Sequence, residues 1–256
     1  MSPGSRQAWA GGDPPVVLTV AGSDSSGRAG IQADLKTFAA LGVEGLSAIT
    51  ALTAQGAPGL CEVQLVPPEF VARQISVAAA GHTVAAAKTG MPGSAATVRV
   101  VARALGELGM PALVVDPVMT ATSGEPLADA EAIRAMVSDL FPMALVVTPN
   151  LAEASALAGG QVSTLGDMEQ AAARIGELGP AFVLVKGGHL AGDPTDVLFD
   201  GANCTRLTGA RIESRHSRGT GCKLSAAIAA YVAFGEAVPA AVAKAKEFVT
   251  GVLRKG

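Results

Sequence analysis

Residues 16–42 read VVLTVAGSDSSGRAGIQADLKTFAALG. A short run of Val, Leu and Thr suits a strand and ends on a glycine. Nine residues later the helical spacing begins, with Ile31, Leu35, Phe38 and Ala39, and Gly42 stops the pattern. A buried strand, a Gly/Ser-rich loop and an amphipathic helix form one half of a β-α-β unit. The chain repeats that unit.

Strand-like runs follow at 47–54, 83–90, 112–118, 144–150 and 181–188, each dominated by Ala, Val and Leu. Helical patterns lie between them at 67–81, 94–109, 131–141, 151–159 and 167–179. The stretch 67–81 opens on Pro and closes on Gly, the usual order for a helix. The runs at 196–201 and 204–208 read as a hairpin or edge pair, and two helices starting near Cys222 and Pro239 close the chain. Near-continuous apolar strands alternating with helices predict an α/β fold, with a mostly parallel sheet covered on both faces. No linker, internal repeat or low-complexity block divides it. The expected organisation is a flexible N-terminal segment, 1–15, rich in Gly, Pro and Ser, followed by one domain over 16–256.

The 256 residues are 49% hydrophobic, 16% charged and 4% aromatic, with a net charge of −3. The core must therefore be built from small aliphatic side chains. A slightly acidic chain without a basic run argues against a nucleic-acid partner. No apolar stretch reaches the length of a membrane span, and the N-terminus lacks the apolar core of a signal peptide. Cys61, Cys204 and Cys222 are widely spaced and odd in number, so neither a disulfide framework nor a metal cluster is expected. A reducing cytoplasmic location is the default.

In a parallel sheet, ligands gather at the carboxyl ends of the strands. Here those ends read AGSDSSGRAG, TAQG, KTGM, DPVM, TPNLAE and VKGGH. Strand-to-helix loops need glycines and caps in any case. That accounts less well for the charged or amide residue that so many of them also carry.

Gly219, Thr220 and Gly221 form a turn that leads into an Ala-rich helix, with Cys222 at its mouth. Backbone N–H groups and the helix dipole there suit a phosphate. A thiol in that position is expected to have a lowered pKa, although a small buried structural cysteine fits the same place. Asp34 lies one turn into its helix, where the dipole alone would favour it. Asn150 and Glu153, at i and i+3, suit a capping box as well as an oxygen-ligand pair for hydrated Mg²⁺. Asp116 ends a strand as a possible second carboxylate, and Lys186 ends another, where an ammonium could meet phosphate. Neither a dinucleotide fingerprint nor a P-loop is present. One anion turn, an acid–amide pair, an aspartate and a lysine at strand ends together point to phosphoryl transfer.

The segments AGSDSSGRAGIQADLKTFAALG, AITALTAQ, AAKTGM, VVDPVM, VTPNLAEA, VLVKGGHL and GTGCKLSAAIAA occur in that order. With them, the chain from about Val16 to about Leu253 resembles the hydroxymethylpyrimidine/phosphomethylpyrimidine kinases of thiamine biosynthesis, in the ribokinase-like superfamily. The resemblance implies a ribokinase-like fold and commonly a homodimer. It implies ATP as co-substrate, Mg²⁺, and phosphorylation of 4-amino-5-hydroxymethyl-2-methylpyrimidine and of its monophosphate. It places Gly22, Asp34, Gln55, Met91 and Val118 around the pyrimidine, and Asn150 and Glu153 at Mg²⁺ with Asp116 nearby. Lys186 would meet the ATP phosphates, Gly219, Thr220 and Gly221 would form the anion hole, and Cys222 would activate the hydroxymethyl group.

The chain departs from the family pattern at several positions. Arg28 stands for Gly, Gly56 and Ala57 for Asn-Thr, Thr122 for Lys and Arg218 for His, and the Gly/His-rich tail has no counterpart before Gly256. Arg28 and Arg218 would add positive charge beside bound phosphates. A pyridoxal kinase on the same scaffold, and a pyrimidine-binding protein with weakened catalysis, are the competing readings.

Overall fold

The computed structural model describes residues 12–56, 59–121, 123–188, 190, 192–212 and 219–255. Residues 1–11 of the expected N-terminal segment, together with Ala57, Thr122 and Arg218, lie outside them. The strands are β1 (Val16–Asp24), β2 (Glu44–Gly56), β3 (Gly59–Leu65), β4 (Val84–Thr89), β5 (Leu113–Val115), β6 (Val146–Val147), β7 (Phe182–Val185), β8 (Thr195–Phe199) and β9 (Cys204–Thr208). The helices are α1 (Gly30–Leu41), α2 (Pro68–Ala79), α3 (Ala95–Glu107), α4 (Ala130–Ala135), α5 (Leu151–Ala158), α6 (Leu165–Gly176), α7 (Thr220–Ala233) and α8 (Val238–Lys255).

The strands form a single sheet in the order β3-β2-β1-β4-β5-β6-β7-β8-β9. From β2 to β7 every pairing is parallel, while β3, β8 and β9 join antiparallel. The α/β architecture predicted from alternation is thus present, and the 196–208 region is the expected hairpin. Edge strand β3 was not foreseen, because its sequence GLCEVQL is polar and largely exposed, a weak apolar signal. The 131–141 helix is also irregular: α4 gives way to a π-helical turn at Met136–Leu140 and a 3₁₀ turn at Phe141–Met143.

Side chains alternate across each strand, so the sheet has two apolar faces. Leu18, Val20, Ala87, Val115, Val147 and Val183 pack with α2, α3, α4 and α6. Val17, Ala86, Val114, Val146 and Leu184 pack on the other face with α1, α7 and α8. Helix α7 is buried along most of its length, with Ala226, Ala227, Ile228, Ala229 and Ala230 fully enclosed. Its methyl side chains let it lie close to the sheet and to α1 and α8, which explains the Ala-rich composition. No helix among the described residues is long and apolar enough to cross a membrane.

Candidate active site

The sheet order reverses at β1, where β2 runs to one side and β4 to the other. The crevice outside the carboxyl ends of β1 and β4 is therefore the topological switch point. Five strands deliver polar side chains to the α7 face there, each two residues beyond a core residue of that face. Thr19 follows Val17, Lys88 follows Ala86, Asp116 follows Val114, Thr148 follows Val146 and Lys186 follows Leu184. The alternation that builds the core thus also lays a polar row beneath the start of α7.

At the centre of this row, Lys186 Nζ lies 2.8 Å from Asp116 Oδ1. Thr148 Oγ1 donates to the same oxygen at 3.2 Å, and Ser225 Oγ of α7 donates to Asp116 Oδ2 at 3.2 Å. Burial works against ionisation of Asp116, but Lys186, Lys88 and these hydrogen bonds outweigh it and hold the carboxyl below its usual range. A second pair lies nearer β1. Lys88 Nζ meets Asp34 Oδ2 at 2.9 Å and Thr19 Oγ1 donates to that oxygen at 2.6 Å, all three side chains being fully buried.

Asn150 and Glu153 form the capping box of α5. Glu153 Oε2 accepts from Asn150 N at 2.7 Å, and Asn150 Oδ1 accepts from Glu153 N at 2.9 Å. Burial, opposed by Lys186 and reinforced by Asp116, pushes the Glu153 carboxyl up to about 7. Capping leaves each of these oxygens a second lone pair. A buried carboxylate that ionises reluctantly beside another is a site a cation would relieve. Among the described residues, no group of three or more His, Cys, Asp or Glu forms a cage. Asp116, Glu153 and Asn150 therefore suit a hard cation that arrives with phosphate and keeps most of its water, as Mg²⁺ does.

The anion turn is docked onto the loop after β1. Gly219 has φ +73, and a Cβ there would lie 2.0 Å from the Arg28 carbonyl oxygen. Only glycine fits, both for its conformation and for the contact. At Gly221 a Cβ would lie 3.2 Å from Lys186 Nζ, so the turn sits directly against that ammonium. Helix α7 starts with no side-chain cap, so no side chain stands between its first turn and the crevice.

Cys222 is partly buried in the first turn of α7. The lowered pKa expected from the helix dipole is not what its surroundings produce. Burial pushes the thiol up; Lys88 and the Gly30 N–H pull it down, and Asp34 and Asp116 raise it further. Desolvation in the packed crevice exceeds the favourable charges.

The expected pyrimidine-side residues divide. Gly22 touches Met91: a Cβ at Gly22 would lie 2.9 Å from Met91 Sδ. Gln55, next to last in β2, is joined to the β1 loop, its N–H bonded to Ser25 Oγ at 2.9 Å. Val118, partly exposed, follows Asp116 and donates its N–H to the Asp116 carbonyl. Asp34 is a correction. Its carboxylate is enclosed and bonded to Lys88 and Thr19, so it stands behind the site and not in the wall that a ligand touches.

Sequence reasoning assigned no role to Lys88, Thr148, Ser225 or Asp24. Asp24 organises the β1 loop, accepting from Ser26 N, Ser26 Oγ, Arg28 N and Ala29 N at 2.9, 2.8, 3.2 and 2.8 Å. Burial raises its carboxyl, but those bonds prevail and leave it below the usual range. A lysine inside the apolar run VAAAKT was a visible signal; the hydroxyl and Asp24 contacts had none beyond common loop composition. Arg28 is exposed.

The sequence profile of a family described as phosphomethylpyrimidine kinase matches residues 24–256. The thiamine biosynthesis bifunctional protein ThiED of Geobacter sulfurreducens is 48% identical over 93% of this chain, which spans 49% of that protein. A hydroxymethylpyrimidine/phosphomethylpyrimidine kinase of Streptomyces coelicolor is 46% identical, with 95% of this chain and 90% of that one covered. Among solved structures, the phosphomethylpyrimidine kinase of Clostridium difficile superposes with a TM-score of 0.82 at 38% identity, covering 93% of this chain and 99% of that one. The pyridoxal kinase of Staphylococcus aureus in complex with ADP gives 0.88 at 36%, covering 94% and 89%.

Proposed function

The chain belongs to the phosphomethylpyrimidine kinase family, and we propose that it transfers the γ-phosphoryl group of ATP to 4-amino-5-hydroxymethyl-2-methylpyrimidine and then to the resulting monophosphate, as a step of thiamine biosynthesis. The observation that carries this reading is the docking of the Gly219–Gly221 turn over the Asp116–Lys186 pair, with Cys222 at its mouth. Such a place can neutralise phosphate charge and hold a proton acceptor beside it.

In this mechanism Lys186 contacts the ATP phosphates, and the N–H groups of the turn receive the charge that develops on the transferring group. Asp116, Glu153 and Asn150 would hold Mg²⁺, which supplies charge neutralisation on the phosphates. Gly22, Gln55, Met91 and Val118 bound the pyrimidine, and the Gln55 amide can both donate to and accept from its aminopyrimidine edge. Cys222, as thiolate, accepts the hydroxymethyl proton while the oxygen attacks phosphorus and the bond to the ADP oxygen breaks. Asp34 supports this site from behind. Arg218, on the segment leading into the turn, adds positive charge for the phosphates. The protein works as a cytoplasmic homodimer.

The fold similarity to pyridoxal kinases supports a second reading, pyridoxal phosphorylation in the same crevice. A coupled ADP-release assay with hydroxymethylpyrimidine, its phosphate and pyridoxal separates the two. Turnover on both pyrimidines exceeding that on pyridoxal is expected. Release on pyridoxal alone, or on none, would sink the main reading.

A further inference from the structure

We propose that Lys88 is a positioning residue for Cys222, a buried cation that stabilises the thiolate at the mouth of α7. The proposal rests on Cys222 being the proton acceptor and deepens that reading.

Lys88 is two residues beyond Ala86 on β4, so it points to the face on which α1 and α7 pack. It is fully enclosed, and Gly90 makes room for it: a Cβ there would lie 2.8 Å from Lys88 Nζ. Its hydrogen-bond partner is Asp34 Oδ2, at 2.9 Å. Asp34 lies on α1 one turn after Gly30, whose N–H acts on the Cys222 sulfur. Residues four apart share a helix face. Gly30, Asp34 and Lys88 thus form a column beneath the thiol, and the docking of Gly219 on Arg28 and Ala29 holds α7 against it.

A purely structural role explains this column poorly. A buried ion pair is often replaceable by apolar residues without loss of stability. The pair is also incompletely satisfied: Asp34 Oδ1 is buried without a hydrogen-bond partner among the described residues, although an ammonium has three donors. The cation's field reaches beyond Asp34 to Cys222 and Asp116.

The charged groups facing the thiol come from every neighbouring element. Asp34 lies on α1, Lys88 on β4, Asp116 after β5, Lys186 after β7, and Lys223 on α7 itself, with Lys36 of α1 acting on Lys223. Lys186 is tied to Asp116. Lys244 and Lys246 of α8 are paired with Glu236 and Asp196. Lys88 favours the thiolate, and Asp34 and Asp116 oppose it.

The test measures alkylation of Cys222 by iodoacetamide, a neutral reagent, against pH and without nucleotide. It uses the full chain carrying C61S and C204S, which removes the two other thiols, on β3 and β9. Lys88→Met is expected to move the midpoint upward by about one pH unit and to slow alkylation near pH 8 about tenfold. The near-isosteric double variant K88M/D34N removes both charges and avoids a lone buried carboxylate, so it remains informative if K88M does not fold. Its midpoint is also expected above wild type, because the thiolate has lost its buried cation, while Lys88→Arg restores the lower one. A wild-type midpoint in folded K88M/D34N would overturn the proposal. Absence of ADP release on every substrate in the chain with Lys88 intact, together with a shifted thiol midpoint in the variants, would instead count against the kinase reading alone.

Discussion

At Cys222, two physical effects oppose each other. Burial favours the thiol, and the neighbouring ammonium and N–H groups favour the thiolate. Since burial prevails, only the ionised fraction accepts a proton, and kcat/KM should climb with pH beyond the ordinary thiol range. Cys222→Ala should lower kcat by about 10²–10⁴-fold, leave ATP affinity nearly unchanged and abolish that alkaline rise. Steady-state kinetics across pH checks this, and wild-type turnover in the variant would remove Cys222 from the mechanism. Burial raises Glu153 in the same sense. Its carboxyl is raised to about 7 in the folded chain, so the folded state binds the extra proton between the unfolded value and about pH 7. That contribution to stability is complete at low pH and is lost as pH rises through about 7. Glu153→Gln, which still caps α5, should therefore raise Tm at pH 8 more than at pH 5, and it should impair turnover at both. An equal Tm change at the two pH values would argue against a strained carboxylate. Asn150 and Glu153 were legible as a pair from their spacing. Which of cap or cation ligand they serve was not, because both uses demand the same two residue types.

At the scale of elements, the site depends on where short segments meet. Helix α7 can begin beneath the crevice only because Gly219 adopts φ +73 against the Arg28 carbonyl. Gly219→Ala would press a methyl group into that oxygen and force a left-handed backbone on an L-residue, so the turn must withdraw from the β1 loop. The expected outcome is at least a tenfold drop in kcat/KM, about 1–3 kcal/mol of lost stability and a change in nucleotide KM as well as kcat. Chemical denaturation with kinetics measures both, and unchanged values would exclude the docked turn. The Gly-Thr-Gly motif was readable in the sequence as an anion turn, but its partner surface was not. Likewise, the strand patterns were clear while Lys88, Thr148 and Lys186 could not be grouped, because their convergence depends on strand order, which periodicity does not encode. Edge strand β3 escaped for the converse reason, its exposure leaving little apolar pattern.

For the molecule as a whole, the sheet formed by the nine described strands places a parallel crevice at the β1/β4 reversal. Exposed large hydrophobics collect toward the opposite concern, assembly: Leu52, Leu65, Phe70 and Val77 lie on β2, β3 and α2, at one edge of the sheet. Apolar surface of this kind suits association, and the homodimer proposed above should appear in light scattering at about twice the chain mass of 25.4 kDa. A monomer mass at micromolar concentration would contradict it. The sequence by itself determined the alternation of strands and helices, the two-faced sheet and the glycine-bounded loops, because these follow from local periodicity and backbone preference. It also determined which residue types could carry phosphoryl transfer. Only the tertiary structure decided that Asp34 is sealed behind the crevice with Lys88, that Asp116 is gripped by Lys186, Thr148 and Ser225, and that burial raises the Cys222 thiol. Those outcomes depend on desolvation and on charges brought together from distant parts of the chain, and neither is a property of any local stretch.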